Sequence, residues 1–313
     1  MTARLEVERL EKAFGATRAL AGVSLAVAPG EVHAVLGENG AGKSTLMAAL
    51  GGALRPDGGA MRIDGEAFAP RSPREARDRG VSVVHQELSI CPHLTVAENV
   101  MLGREPASFG VVRRRDERAA VERALADVLG DGPRRFGPSD RAGALSMADQ
   151  QLVEIARALA TAGTRVLVLD EPTSSLARAD VERLFALVRA LAGRGIAVLY
   201  VSHFLDEVRE ICGRYTVLRD GADVGSGAVA DCDNADLVAA MSGARAEVHE
   251  RARRPPPTEV LVRVESLAGA RLPKDASFEL RRGEIVGIAG LVGSGRTELL
   301  RAVFGLDPVR SGR

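Results

Sequence analysis

GENGAGKSTLM, residues 37–47, is the stretch on which the reading of this chain turns. It follows a short apolar run, EVHAVL (31–36), and opens a helical pattern. The spacing G-x-x-x-x-G-K-[ST] between a strand and a helix describes a phosphate-binding loop. Glycine lets the backbone wrap so that successive N–H groups point inward at phosphate oxygens, and the helix that starts there adds its positive dipole end. The candidate binding residues of the loop are Gly37, Asn39, Gly40, Ala41, Gly42, Lys43, Ser44 and Thr45. Lys43 suits the β and γ phosphates as a compact point charge, and the Ser44 hydroxyl suits Mg²⁺.

A second stretch, GLVGSGRTELL (290–300), has the same cadence with Arg296 in place of the lysine. Ser24–Leu50 aligns without gaps on Ser277–Val303, 253 residues downstream. A repeat at this spacing means tandem related domains, not a solenoid, whose period is roughly 20–50 residues. Residues 1–242 are expected to form a first nucleotide-binding domain, with a mostly helical part at about 88–145. Residues 243–258, charged and ending in prolines, read as a linker. Residues 259–313 read as the N-terminal fragment of a second domain, so Arg313 is expected to mark a truncation.

The bulk composition agrees with a folded, water-facing chain. Of 313 residues, 46% are hydrophobic and 27% charged, with 42 acidic and 42 basic side chains. That balance argues against a nucleic-acid footprint, which shows as a basic excess. No apolar run approaches the roughly 18 residues that a spanning helix needs. Cys91, Cys212 and Cys232 are unpatterned and read as ordinary thiols. Arginine nearly replaces lysine; Lys12, Lys43 and Lys274 are the three lysines, and one of them sits in the loop.

Short runs such as VSVVH (81–85), RVLVLD (165–170) and AVLYVSH (197–203) read as buried strands of a mostly parallel sheet. ARADVERLFALVRALAGRG (177–195) is an amphipathic helix with Val181, Leu184, Leu187, Val188 and Leu191 on one face. Strand and helix in alternation predict an α/β architecture. RRRDERAAVERALADVLG (113–130) is basic at its start, but Val121, Leu125, Val128 and Leu129 make it a surface helix.

Four further motifs carry chemistry. In RVLVLDEPTSSL (165–176) a strand delivers Asp170 and Glu171 at its carboxyl end, where ligands sit in open α/β sheets. Asp170 suits a magnesium ion, and Glu171 suits an attacking water as general base or orienting group. Gln86 in VVHQELS and His203 in LYVSHFLDEV end predicted strands, so both face the same sheet edge. Gln86 is a candidate for magnesium and His203 for the γ-phosphate or the water. Ser146 in LSMADQQLVEIARAL (145–159) starts a helix, whose first N–H groups can bind an anion.

Together these motifs resemble the ATPase subunits of ABC transporters, with Walker A, Q-loop, signature, Walker B and His-loop in order. The chain is most similar to the bacterial monosaccharide importers of the ribose, xylose and galactose group. VHQELSICPHLTVAENVMLGRE (84–105) and LDEPTSSL (169–176) are the close stretches, with the repeat. The resemblance implies a P-loop NTPase of the ABC type, with a parallel core sheet, a helical subdomain and an antiparallel β part at the N-terminus. It implies MgATP as substrate, with Lys43, Glu171 and His203 catalytic and Ser44, Gln86 and Asp170 around the metal. Phe14 in KAFG matches the aromatic that stacks on adenine. The implied partners are transmembrane permease subunits, through them a periplasmic or extracellular sugar-binding protein, and a second nucleotide-binding domain. The implied location is the cytoplasmic face of the membrane, as a peripheral subunit.

The departures are specific. Arg296 replaces lysine in the second loop, and SLAGARLPKDAS (266–277) has no aromatic where the first copy has Phe14. The usual L-S-G-G-Q signature is Leu145, Ser146, Met147, Ala148, Asp149. In the head-to-tail arrangement of the family this signature faces the second loop, so the expectation is one competent and one degenerate site. Two other readings stay open: a truncated protein that binds nucleotide with little turnover, and a soluble ABC ATPase outside transport. Against the second stand the short linker, the single intact loop and the neutral charge balance.

Overall fold

The computed structural model describes residues 3–108, 111–130, 134–160, 163–174, 176–243, 259–290 and 293–313. The chain divides into two compact units, Met1–Glu247 and Val248–Arg313. Residues 244–258 of the expected linker lie outside the described residues.

The first unit begins with β1 (Leu5–Phe14), β2 (Thr17–Val27) and β3 (Val32–Leu36), and the loop at residues 37–42 then leads into α1 (Lys43–Leu50). Next come β4 (Gly58–Ile63), β5 (Glu66–Ala67), α2 (Pro73–Asp78), β6 (Val81–Val84) and α3 (Val96–Met101). A small hairpin, β7 (Ala107–Ser108) and β8 (Val111–Val112), precedes α4 (Arg114–Leu129) and α5 (Met147–Leu159). The unit closes with β9 (Val166–Asp170), α6 (Arg178–Gly193), β10 (Ala197–Val201), α7 (Leu205–Ile211), β11 (Arg214–Arg219), β12 (Ala222–Ala228) and α8 (Asn234–Ser242).

Two sheets organise these elements. The first four strands outside the core form an antiparallel sheet in the order β2-β1-β4-β5. The core sheet runs β12-β11-β3-β10-β9-β6, parallel throughout except for β12 at its edge. Its central strands β9 and β10 are apolar from Val166 to Leu169 and from Ala197 to Val201 because both faces are covered. On β10, Val198 and Tyr200 pack with the helical layer, whereas Ala197, Leu199 and Val201 pack with α1 and the antiparallel sheet. Leu167 and Leu169 against Val166 and Val168 divide β9 in the same way. A two-residue period hidden in a continuous apolar run is what a strand buried on both faces requires.

The region 88–145 holds α3 and α4 together with the β7–β8 hairpin. Two-residue strands carry too little periodicity to be read from sequence. Thr95 and Glu98 form a capping box at the start of α3. Val121, Leu125 and Val128 are the buried stripe of α4.

In the second unit β13 (Val260–Gly269) pairs antiparallel with β14 (Ala276–Arg281), α9 (Arg296–Val303) follows, and β15 (Val309–Ser311) pairs with β13. The α9 bounds fall 253 residues after those of α1. Residues 284–290, aligned with the central strand β3, form no ladder among the described residues, and Ile285 is 89% exposed.

Candidate nucleotide site

The loop between β3 and α1 is shaped by three glycines at positive φ: Gly37 at 151°, Gly40 at 87° and Gly42 at 106°. A Cβ on Gly37 would lie 2.4 Å from the Leu218 carbonyl oxygen, and one on Gly42 would lie 2.6 Å from that of Ala19. At these two positions both conformation and space exclude a side chain. Lys43 is buried, and its ammonium donates to the carbonyls of Gly37 (2.6 Å) and Glu38 (3.0 Å).

A cavity of about 400 Å³ opens above this loop. Asn39, Gly40, Gly42, Lys43, Ser44 and Thr45 line it from one side, and Gln86, Asp170 and Glu171 from the other. Gly37 and the buried Ala41 underlie the loop. The parallel order β3-β10-β9-β6 explains the convergence, because it brings the carboxyl ends of four strands to one edge.

Glu171 is the hub of that edge. It sits at φ 45°, a left-handed conformation uncommon outside glycine, immediately after β9. Gln86 Nε2 donates to one carboxylate oxygen at 3.0 Å, and His203 Nδ1 lies 3.0 Å from the other. Burial pulls the Lys43 ammonium below its ordinary value, opposed by Glu171 and Asp170. Burial, then the neighbouring Glu171, pushes the Asp170 carboxyl up. Both charged groups are partly withdrawn from water, and the ammonium is held by two backbone carbonyls of the loop. A Ser44 hydroxyl, an Asp170 carboxylate and a Gln86 amide form a hard oxygen donor set, which fits Mg²⁺ beside phosphate.

Two of the expected residues stand apart. Phe14 ends β1, 52% exposed, and is not on the cavity wall; Lys12 Nζ lies 5.6 Å from its ring centroid. Ser146 is the N-cap of α5, its hydroxyl accepting from Asp149 N (3.2 Å) and donating to Asp149 Oδ2 (2.7 Å). Asp149 in turn lies 3.1 Å from Arg135 Nε.

Residues 20–174 match the ABC transporter family. The chain is 49% identical over 308 residues to the ribose import ATP-binding protein RbsA 1 of Rubrobacter xylanophilus, covering 98% of this chain and 60% of that protein. It is 47% identical over 304 residues to RbsA 2 of Streptomyces avermitilis, covering 97% of this chain and 59% of that protein. Through residues 20–174 the chain belongs to the ABC transporter family. It spans about three-fifths of the length of these curated relatives. Among solved structures, a nucleotide-free ATP-binding cassette from an ABC transporter is 26% identical, with a TM-score of 0.65 over 77% of this chain and 95% of that one. An ATP-binding cassette in its ADP conformation is 28% identical, with a TM-score of 0.64 over 77% of this chain and 96% of that one.

The structure adds residues to the cavity wall that motif reading passed over. Thr17, Arg18 and Ala19 are the first residues of β2, beside the β1–β2 turn, and Asp220 comes from the β11–β12 turn. No local signal marks them, since turn residues of this kind are common on any surface. The second copy of the loop differs in its surroundings. Arg296 is exposed where Lys43 is buried, and a Cβ on Gly290 would lie 2.5 Å from Ser294 Oγ.

Proposed function

We propose that this chain is the ATP-binding and ATP-hydrolysing part of a subunit that powers import of a monosaccharide through a membrane permease. The observation that carries the reading is the meeting of Lys43, Asp170, Glu171 and Gln86 on one cavity above a glycine-shaped loop. The names of the curated relatives support the sugar and the direction of transport.

In this reading the backbone N–H groups of residues 39–45 bind the phosphates, and Lys43 exchanges its two loop carbonyls for β and γ oxygens. Ser44, Gln86 and Asp170 hold Mg²⁺, which supplies charge neutralisation at the phosphates. Glu171, held between Gln86 and His203, orients the attacking water and accepts its proton. Phe14, exposed at the end of β1, offers a ring face to the adenine. Ser146 and the start of α5 serve a nucleotide held by an opposing domain. The partners are permease subunits, a sugar-binding protein reached through them and a second nucleotide-binding domain, and the chain works as a peripheral subunit on the cytoplasmic face.

Arg296 and Ala148 favour one competent and one degenerate site in the assembled pair. A guanidinium fork does not replace a point charge inside a tight backbone cradle. On this reading the chain alone binds MgATP tightly and turns it over slowly. The test is phosphate release by the purified chain, alone and co-purified with candidate permease subunits, with a panel of pentoses and hexoses. Turnover that rises with permease and one sugar is expected; fast turnover by the chain alone, indifferent to both, overturns the transport reading.

A further inference from the structure

The turn that carries His203 is held from behind by α7. Ser202 and Phe204 flank the histidine, and the Phe204 N–H donates to the Ser202 hydroxyl at 3.0 Å. A hydroxyl has one hydrogen to give, and Ser202 gives its own to Glu207 Oε2 at 3.1 Å. That donation leaves the oxygen lone pairs for Phe204, so the carboxylate sets the direction of both bonds. Tyr200 of β10 donates to the same Glu207 oxygen at 2.8 Å. Its ring is fully buried and meets Phe185 of α6 edge-on, with 6.2 Å between centroids. Burial, then the Glu207 charge, pushes the Tyr200 hydroxyl up, which keeps its proton in the bond.

The same turn is tied to the strand that bears the candidate base. Glu171 N donates to the Val201 carbonyl at 2.9 Å, one residue before Ser202. His203 Nδ1 then meets Glu171 Oε1 at 3.0 Å, although its side chain is 47% exposed. The ring lies 4.0 Å from that of Phe204, a neighbour on the same turn. A half-exposed ring supported by its own turn takes its aim from the backbone beneath it, and Ser202 closes that backbone. Glu207 is partly buried and is not on the wall of the nucleotide cavity.

We propose that Glu207 is a positioning residue, which through the Ser202 hydroxyl fixes the turn that aims His203 at Glu171. Tyr200 anchors its carboxylate to the core. Glu207 acts on turnover through His203 and not on the nucleotide, a role that rests on the hydrolytic reading of Glu171.

The test uses the full chain. Glu207→Ala should lower kcat for phosphate release from MgATP by roughly 10–10²-fold, the scale of a misplaced catalytic group. KM and ATP affinity should stay within about twofold, as for a group that binds no nucleotide. Glu207→Gln keeps an acceptor oxygen for both hydroxyls and should restore most of kcat. Ser202→Ala, a smaller change, should reproduce the loss where Glu207→Ala lowers the denaturation midpoint. Beside His203→Ala, Glu207→Ala should cost nothing further, because its route to Glu171 is already gone.

A second readout needs no turnover. In histidine-selective ¹⁵N spectra of the nucleotide-free chain, the His203 ring signals are assigned by their loss in His203→Ala. They should shift with Glu207→Ala and with Ser202→Ala, and hold with Glu210→Ala on the same helix. Full kcat in Ser202→Ala, a loss that adds to that of His203→Ala, or His203 signals indifferent to Glu207→Ala would each overturn the proposal. Parent turnover that Glu171→Gln leaves unchanged overturns the hydrolytic reading instead, and the spectra still decide whether Glu207 aims His203.

Discussion

Gln86 donates its amide to the carboxylate of Glu171 at 3.0 Å, across 85 residues of sequence. The bond joins the strand end that carries a magnesium candidate to the one that carries the candidate base. Since His203 engages the other oxygen of the same carboxylate, Glu171 is aimed before any substrate arrives. Glu171→Gln keeps the shape and most of the hydrogen bonding while removing the base. Phosphate release should fall by roughly 10²–10⁴-fold, the usual worth of general-base catalysis. ATP affinity, read by equilibrium titration, should change little; equal loss of both would make Glu171 a binding residue.

Lys43→Ala should weaken ATP binding at least tenfold, because it removes the one ammonium buried in the loop. Lys43→Arg, which writes the second loop's residue into the first, should fail to restore it. Full binding by the arginine variant would remove the argument that Arg296 marks a degenerate site.

Gly37→Ala places a methyl 2.4 Å from the Leu218 carbonyl and 2.9 Å from the Ala41 Cβ. Overpacking of this kind typically costs about 1–3 kcal/mol. Chemical denaturation should show that loss together with weaker nucleotide binding, and a variant as stable as the parent would mean the loop relaxes freely.

Phe14→Ala should leave the denaturation midpoint unchanged, because the ring is half exposed and outside the core. If the ring stacks on adenine, affinity for ATP falls several-fold while affinity for inorganic triphosphate does not. Identical losses for the two ligands would assign Phe14 no part in base recognition.

Glu31 supplies a pH-dependent contribution. Its carboxylate meets His33 Nδ1 (2.8 Å) and accepts from Ala28 N (2.8 Å), and His33 Nε2 meets Thr216 Oγ1 (2.8 Å). Burial raises the Glu31 carboxyl, but the His33 and Ala28 contacts outweigh it and hold it below its ordinary 4.5. A depressed acid stabilises the fold above the ordinary value, and that contribution is lost as pH falls through the lowered one. Glu31→Gln should therefore cost roughly 1.5–3 kcal/mol at neutral pH, the worth of hydrogen bonds to a charged group. The difference from the parent should shrink as pH drops below 4.5 in urea denaturation. A gap that stays constant down to acid pH would locate the effect in packing.

The sequence by itself determined the loop at residues 37–44, the strand that presents Asp170 and Glu171, and the repeat at 253 residues. These are local properties. Glycine freedom, a two-residue period and a helix cap depend on near neighbours, so spacing alone reveals them. Tertiary structure decided which strand ends meet. The order β12-β11-β3-β10-β9-β6 sets Gln86 and His203 on opposite sides of Glu171, and no segment encodes that order locally. It also drew Thr17, Arg18, Ala19 and Asp220 into the nucleotide cavity. In both cases the charges act through space, and only the packed chain brings them within reach of one another.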